Sequence, residues 1–251
     1  MDASCSSDSD GMVSFVIPAF NEDNGIAGVV EGLRGAMRRQ GREYEILLVD
    51  DGSTDFTFHK AKKLERLHNG EVRVLSYSEN RGKGFALRYG FEHSRGELVF
   101  FMDADGDLPP EQVGRFLRVM EESGADVVIG SKRHPGSVVE NYPASRRVMS
   151  GAYYLLTKVL FNLQVRDTQV GLKLFRREVL ERVMPRVLVK RYAFDVELLA
   201  NAVRRGYRVV EAPLRLRFNN DSRINWREIW WMFVDTLAVA YRMHVLRYYD
   251  R

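Results

Sequence analysis

"VFFMDADGDLPP", residues 99–110, joins an unbroken apolar run to three aspartates at every second position, Asp103, Asp105 and Asp107. Such a run, bounded by turn residues, fits a strand covered on both faces, and the acids then stand at the strand's carboxyl end. Alternate positions leaving a strand place Asp103 and Asp105 side by side, where like charges raise one another's pKa unless a cation sits among them. Oxygen-only ligands suit a hard ion such as Mg²⁺ or Mn²⁺, usually shared with substrate phosphates, and nothing in the stretch fits zinc. Taken alone, a solvated acidic turn ahead of a helix entered through Pro109 and Pro110 also explains it.

The same alternation recurs on both sides. Upstream, "VSFVIP", "YEILLVD" and "VRVLSY" are each followed by a helical pattern, at about Ile26 to Gln40, Phe56 to His68 and Lys83 to His93. Downstream come a helix from about Glu111 to Ser123 and the run "DVVIG". These runs predict an α/β chain with a mainly parallel sheet flanked by helices. Beyond Gly130 the pattern gives way to longer helices and one extended segment over 207–219, "YRVVEAPLRLRFN".

Ligands of open α/β sheets bind outside the carboxyl ends of the strands. "PAFNE", Pro18 to Glu22, follows the first run, and Glu22 either binds ligand there or caps the next helix. "DDGSTD", Asp50 to Asp55, follows the second; Ser53 or Asp55 suits a helix cap, while Asp51 is placed to accept hydrogen bonds from a base or ribose. "NRGKGFALRYG", Asn80 to Gly90, opens a helix with glycines around Lys83, so that backbone amides and one ammonium can approach a phosphate. It lacks the G-x-x-x-x-G-K-[ST] spacing, which argues against an ATPase.

Four such motifs at successive strand ends resemble family-2 glycosyltransferases of the GT-A fold, the group that includes dolichyl-phosphate mannose and glucose synthases, over roughly residues 12–219. The resemblance implies a Rossmann-like core with a nucleotide-sugar half, 12–130, and an acceptor half, 131–219. It implies that Pro18, Ala19, Glu22 and Asp51 hold the nucleotide. Asp103 and Asp105, with Ala104 between them, then hold the sugar-nucleotide diphosphate through the metal. Asp107 stands where polyprenyl-phosphate mannose synthases usually carry a glutamine ligand.

In the second half, "GSKRHPGSVVENYPASRRVMS" gathers Lys132, Arg133, Arg146, Arg147 and Ser150, a cluster suited to a phosphate dianion or to a solvated face. The resemblance assigns Arg146 and Ser150, four apart on a helix, to the acceptor phosphate; Lys132 replaces the family's usual arginine, with Arg133 beside it. "RDTQVGLKLFRR" and "KRYAFDVELL" look most like the dolichyl-phosphate β-glucosyltransferase branch; read without it they are a polar turn and the start of an amphipathic helix with Asp195 and Glu197 as N-terminal charges. The implied reaction is a single inverting displacement from UDP-glucose to a polyprenyl or dolichyl phosphate. GDP-mannose is the rival donor, a glycan hydroxyl with Asp195 as base the rival acceptor, and a non-catalytic nucleotide-sugar or membrane module the rival class.

The last helical pattern, about Asn225 to Tyr249, mixes aromatic residues with arginines, with Arg223 just ahead of it, and predicts an amphipathic helix on an anionic membrane surface, or else a core or dimer helix. Its longest stretch free of Lys, Arg and Glu, Ile229 to Tyr241, falls short of the ~20 residues that span a bilayer. Residues 1–130 carry 15 Lys+Arg against 23 Asp+Glu, whereas 131–251 carry 23 against 11. The basic residues are scattered without a nucleic-acid motif, which argues against nucleic acid as the partner. The single cysteine, Cys5, excludes an intrachain disulfide and fits a reducing, cytoplasmic compartment. Residues 1–11 read as a disordered leader without signal-peptide features.

Overall fold

A computed structural model describes residues 11–218 and 226–250; residues 1–10 of the expected leader and residue 223 lie outside these. The first half follows the expected alternation: β1 (Val13–Ala19), α1 (Ile26–Gln40), β2 (Tyr44–Asp51), α2 (Thr57–Leu67), β3 (Val72–Tyr77), α3 (Lys83–Glu92), β4 (Leu98–Met102), α4 (Val113–Ser123) and β5 (Val127–Ser131). Then come β6 (Val138–Glu140), α5 (Ala144–Phe161), β7 (Leu172–Arg176), α6 (Arg177–Val183), α7 (Phe194–Arg204), β8 (Val209–Pro213), β9 (Arg215–Arg217) and α8 (Trp226–His244). Seven strands form one sheet in the order β3-β2-β1-β4-β7-β5-β8, and β6 pairs with β9.

The side chains of β4 explain why its run carries no polar break. Along β4, Phe100 and Met102 enter the core under α1 and α4, whereas Val99 and Phe101 enter the core on the opposite face. Phe15 and Phe100 stack with centroids 4.9 Å apart between neighbouring strands. A sheet buried on both faces needs apolar residues at every position.

Two sequence expectations need correction. The segment 166–177 is no polar turn alone: it contains β7, which runs antiparallel to both β4 and β5 in the middle of the sheet. Lys173 interrupts its apolar pattern, yet that lysine is 2% exposed. Helix α7 is not amphipathic: Phe194 through Ala202 are all buried. Glu197, expected as an N-terminal helix charge, is indeed in the first turn of α7 but buried, and accepts hydrogen bonds from the amides of Leu188 and Val189 at 2.9 and 2.7 Å, and from Arg242 and the Tyr249 hydroxyl.

Helix α8 is buried along one side and exposed along another. Thr236, Val239, Ala240 and Met243 are buried against the domain, while Trp226, Trp230 and Tyr241 are exposed. No helix among the described residues is long and apolar enough to cross a membrane.

Candidate active site

Local hydrogen bonds fix the strand-end loops to one another. The Asn21 amide donates to Ser53 Oγ at 3.1 Å and Asn21 Oδ1 accepts from the Thr54 amide at 2.9 Å, joining the loops after β1 and β2. Asp55 accepts from the Thr57 amide at 2.9 Å, so it does serve the start of α2. Asp51 accepts from the amides of Arg81 and Gly82 at 2.8 and 3.0 Å, which holds the entry to α3. Gly82 is left-handed there, at φ 93°, and a Cβ would come within 2.6 Å of the Lys190 carbonyl. The segment before α7 thus closes directly over the start of α3.

These loops surround a cavity of about 670 Å³ lined by Pro18, Ala19, Glu22, Asp51, Lys83, Asp103, Ala104, Asp105 and Asp195, together with Phe20 and Arg191. Every residue expected to meet the nucleotide sugar is therefore gathered in one cleft. Lys83 Nζ lies 2.5 Å from Asp103 Oδ1. Burial raises the Asp103 carboxyl, but Lys83, Lys173 and Lys132 outweigh it and hold it below the ordinary range. Asp105 sits at the exposed rim, where the surrounding protein and then the charge of Asp103 push its carboxyl up to about 7. Glu22 is raised as well, first by burial and then by Asp103, Asp107 and Asp55. Lys83 and Arg191 are outnumbered by the carboxylates that line the cavity with them, Glu22, Asp51, Asp103, Asp105 and Asp195 among them, so the cleft favours an added cation.

Asp107 does not continue the pair. The chain turns at Gly106, φ 77°, and the Asp107 amide donates back to Asp105 Oδ1 at 3.0 Å, so strand alternation ends before Asp107. Asp107 lines neither this cavity nor the smaller one beside it. No three His, Cys, Asp or Glu side chains converge as a metal cage among the described residues. Asp103 and Asp105 fit a hard cation that completes its shell with substrate oxygens and water.

Beneath the cleft, Lys173 of β7 lies 2.8 Å from Asp195 Oδ1 and donates to the Val170 carbonyl at 2.5 Å. Asp103 donates its amide to the Gly171 carbonyl at 3.1 Å, and a Cβ on Gly171 would fall 1.8 Å from Asp103 Oδ2. Gly171, just before β7, and Lys173 within it thus seat Asp103 and Asp195 respectively.

The smaller cavity, about 270 Å³, is lined by Lys132, Arg146 and Ser150, by Tyr142, Tyr153 and Tyr154, and by the segment Arg166 to Gln169. Lys132 pairs with Asp167 at 2.9 Å, and the Arg146 guanidinium lies 4.6 Å from the Phe218 ring centroid. Arg133 does not join them. Its guanidinium is drawn over the Tyr154 ring, 5.2 Å from the centroid, and stays out of the cavity lining. Gln169, Tyr192 and Glu228 line both cavities and form their common wall. Sequence reasoning passed over these three and Lys173. "RDTQVG" and "KRYAF" drew notice as motifs without individual roles, and Glu228 lay in a helix read for its aromatic face.

The sequence profile of glycosyl transferase family 2 matches residues 14–184, spanning β1 to the end of α6 and most of this cleft. The chain belongs to glycosyl transferase family 2. It is therefore a hexosyl-transferring enzyme. This family-2 glycosyltransferase is 34% identical to the polyprenol monophosphomannose synthase of Mycolicibacterium smegmatis over 79% of its own length and 75% of that protein. It is 30% identical to the dolichyl-phosphate beta-glucosyltransferase of Saccharomyces cerevisiae, over 96% and 75% of the two chains. Among solved structures, glucosyl-3-phosphoglycerate synthase from Mycobacterium tuberculosis, in complex with Mn²⁺, UDP and phosphoglyceric acid, superposes with a TM-score of 0.68 at 20% identity, covering 92% and 78% of the two chains. That likeness establishes the shared fold.

Proposed function

We propose that this glycosyltransferase moves a hexose from a nucleoside diphosphate, UDP-glucose first among donors, to a polyprenyl or dolichyl phosphate at a membrane surface, with inversion. The observation that carries the reading is the pair of adjoining cavities, one acidic at the strand ends and one basic and aromatic, with Gln169, Tyr192 and Glu228 between them. A donor with its sugar at that wall meets an acceptor phosphate entering from the other side.

In this reading Pro18, Ala19, Glu22 and Asp51 receive the nucleoside, and Lys83 faces the diphosphate. Asp103 and Asp105 hold a divalent ion, Mg²⁺ or Mn²⁺, which when bound neutralises charge on the departing diphosphate. Lys132, Arg146 and Ser150 receive the acceptor phosphate, and one of its oxygens attacks the anomeric carbon as the bond to the diphosphate oxygen breaks. A phosphate monoester is largely dianionic at neutral pH, its second pKa being about 6, so no general base is required. Asp195, already paired with buried Lys173, orients the cleft. A single in-line displacement inverts the anomeric centre.

A soluble phosphorylated acceptor is the second reading. Its supporting observation is that Arg166 joins Lys132 and Arg146 in the smaller cavity, a density of cations that suits a small acid with more than one negative charge. Parallel assays with long-chain polyprenyl phosphate and with 3-phosphoglycerate, each with Mn²⁺ and radiolabelled UDP-glucose, separate the two. Label in the organic phase supports the lipid acceptor; label confined to a water-soluble phosphorylated product selects the other.

A further inference from the structure

Helices α5 and α8, which both wall the smaller cavity, pack side by side. The Tyr153 hydroxyl lies 3.0 Å from Thr236 Oγ1, and His244 Nε2 lies 2.6 Å from the Leu160 carbonyl. Each helix leaves an apolar stripe uncovered. On α5, Val148, Leu155 and Val159 are 72, 60 and 74% exposed and follow i, i+7 and i+11, one side of a helix. On α8, Trp226, Trp230 and Tyr241 are 72, 62 and 54% exposed at i, i+4 and i+15, again one side.

Charge is sorted in the same sense. Helix α5 contains no acidic residue, and its Arg147 and Lys158 are exposed. Helix α8 has two acids: Glu228 is exposed where it lines the two cavities and Asp235 is half-buried, while Arg227 is exposed. Uncovered aliphatic and indole groups accompanied by cations complement an anionic lipid surface.

We infer that α5 and α8 together form one docking surface for an anionic bilayer, with the smaller cavity between them opening at headgroup depth. The inference rests on the lipid-phosphate reading above and extends it: α5, which the sequence pattern offered only as a phosphate-binding helix, is the second membrane contact. A lipid phosphate then reaches Arg146 while its hydrocarbon chain stays in the membrane. Helix α5 has 18 residues, about 27 Å, long enough to rest along the interface on several side chains.

Sedimentation with phosphatidylcholine–phosphatidylglycerol vesicles tests this, comparing the full chain with the triple variant Val148→Asp, Leu155→Asp, Val159→Asp, whose fold is checked by thermal unfolding. Vesicle affinity is expected to fall about tenfold or more, and transfer to long-chain polyprenyl phosphate in vesicles to fall with it. Transfer to a short, water-soluble prenyl phosphate is expected to stay within about twofold, since these side chains do not line either cavity. As a second measurement, an environment-sensitive fluorophore on Leu155→Cys, in a Cys5→Ser background, should shift to the blue with vesicles. Unchanged vesicle binding by the triple variant, no shift of the fluorophore, or no vesicle binding by the parent chain overturns the docking surface and leaves a protein partner as the occupant. Vesicle binding that depends on α5, with transfer to neither prenyl phosphate, supports the docking surface and overturns the lipid-phosphate reading instead.

Discussion

The larger cavity draws its side chains mainly from the ends of β1, β2 and β4 and the start of α3, each supplied by the next βα unit in the chain. The smaller cavity draws on the loop after β5, on α5, on the segment before β7 and on α8, separated by up to a hundred residues. One is built by repeating a local rule, that a parallel strand delivers its next residues to the same edge of the sheet. The other exists only once distant helices have packed. Chemistry follows construction: the strand-end cleft accumulates carboxylates at the sheet edge, and the helix-walled cavity combines cations with aromatic surface.

The largest expected effect breaks the strand-end cleft alone. Asp105→Asn, at an exposed rim position, should lower kcat by about 10²–10³-fold with no loss of thermal stability, and EDTA should lower kcat likewise in the parent enzyme. Steady-state transfer assays and thermal unfolding check this together; full activity in the variant or in EDTA removes the metal role from Asp103 and Asp105.

Next, Lys173→Met tests whether β7 ties the two cavities into one unit. It leaves Asp195 buried without its partner and should destabilise the fold by about 3 kcal/mol, measured by denaturant unfolding. Adding Asp195→Asn should recover part of that loss. Independent losses from the two substitutions would show that the pair is not coupled.

Gly171→Ala acts at the entry to the same strand. The new methyl overlaps Asp103, and a displacement of about 1 Å in that carboxylate should cost up to about 10²-fold in activity. A donor KM that rises while the acceptor KM holds would locate the damage in the strand-end cleft.

The smallest effect belongs to the smaller cavity. Arg146→Ala should raise the KM for lipid phosphate by about tenfold, corresponding to loss of one charge-assisted contact, and leave the donor KM nearly unchanged. Equal effects on both would contradict the division of labour between the cavities.

What the sequence made legible follows the same division. Strands β1, β2, β4 and β5 are apolar at most positions because both faces of the sheet are covered there, and the loops that follow them could be read in order. The strand β7 was hidden by Lys173, which only a buried carboxylate from α7 makes tolerable. Asp107 entered through the family resemblance, and the turn at Gly106, which the sequence pattern does not reveal, takes it out of the lining of both cavities. Arg133 was grouped with its neighbours by adjacency, whereas Tyr154 takes its guanidinium. Glu228 carried no local signal, since its place in the common wall depends on how α8 docks through Thr236, Val239 and Met243. That docking also changes how α8 is to be probed: point variants on its exposed stripe test the surface, whereas deleting the helix would uncover Glu197 and the core.

The most direct measurement is a thin-layer assay of purified enzyme with Mn²⁺ and long-chain polyprenyl phosphate, run in parallel with radiolabelled UDP-glucose, UDP-N-acetylglucosamine and GDP-mannose, alongside Asp105→Asn. Label entering the lipid from UDP-glucose, and absent with the variant, is the expected result. Label released only as free sugar, or no turnover with any donor, would contradict transfer between the two cavities to a lipid phosphate.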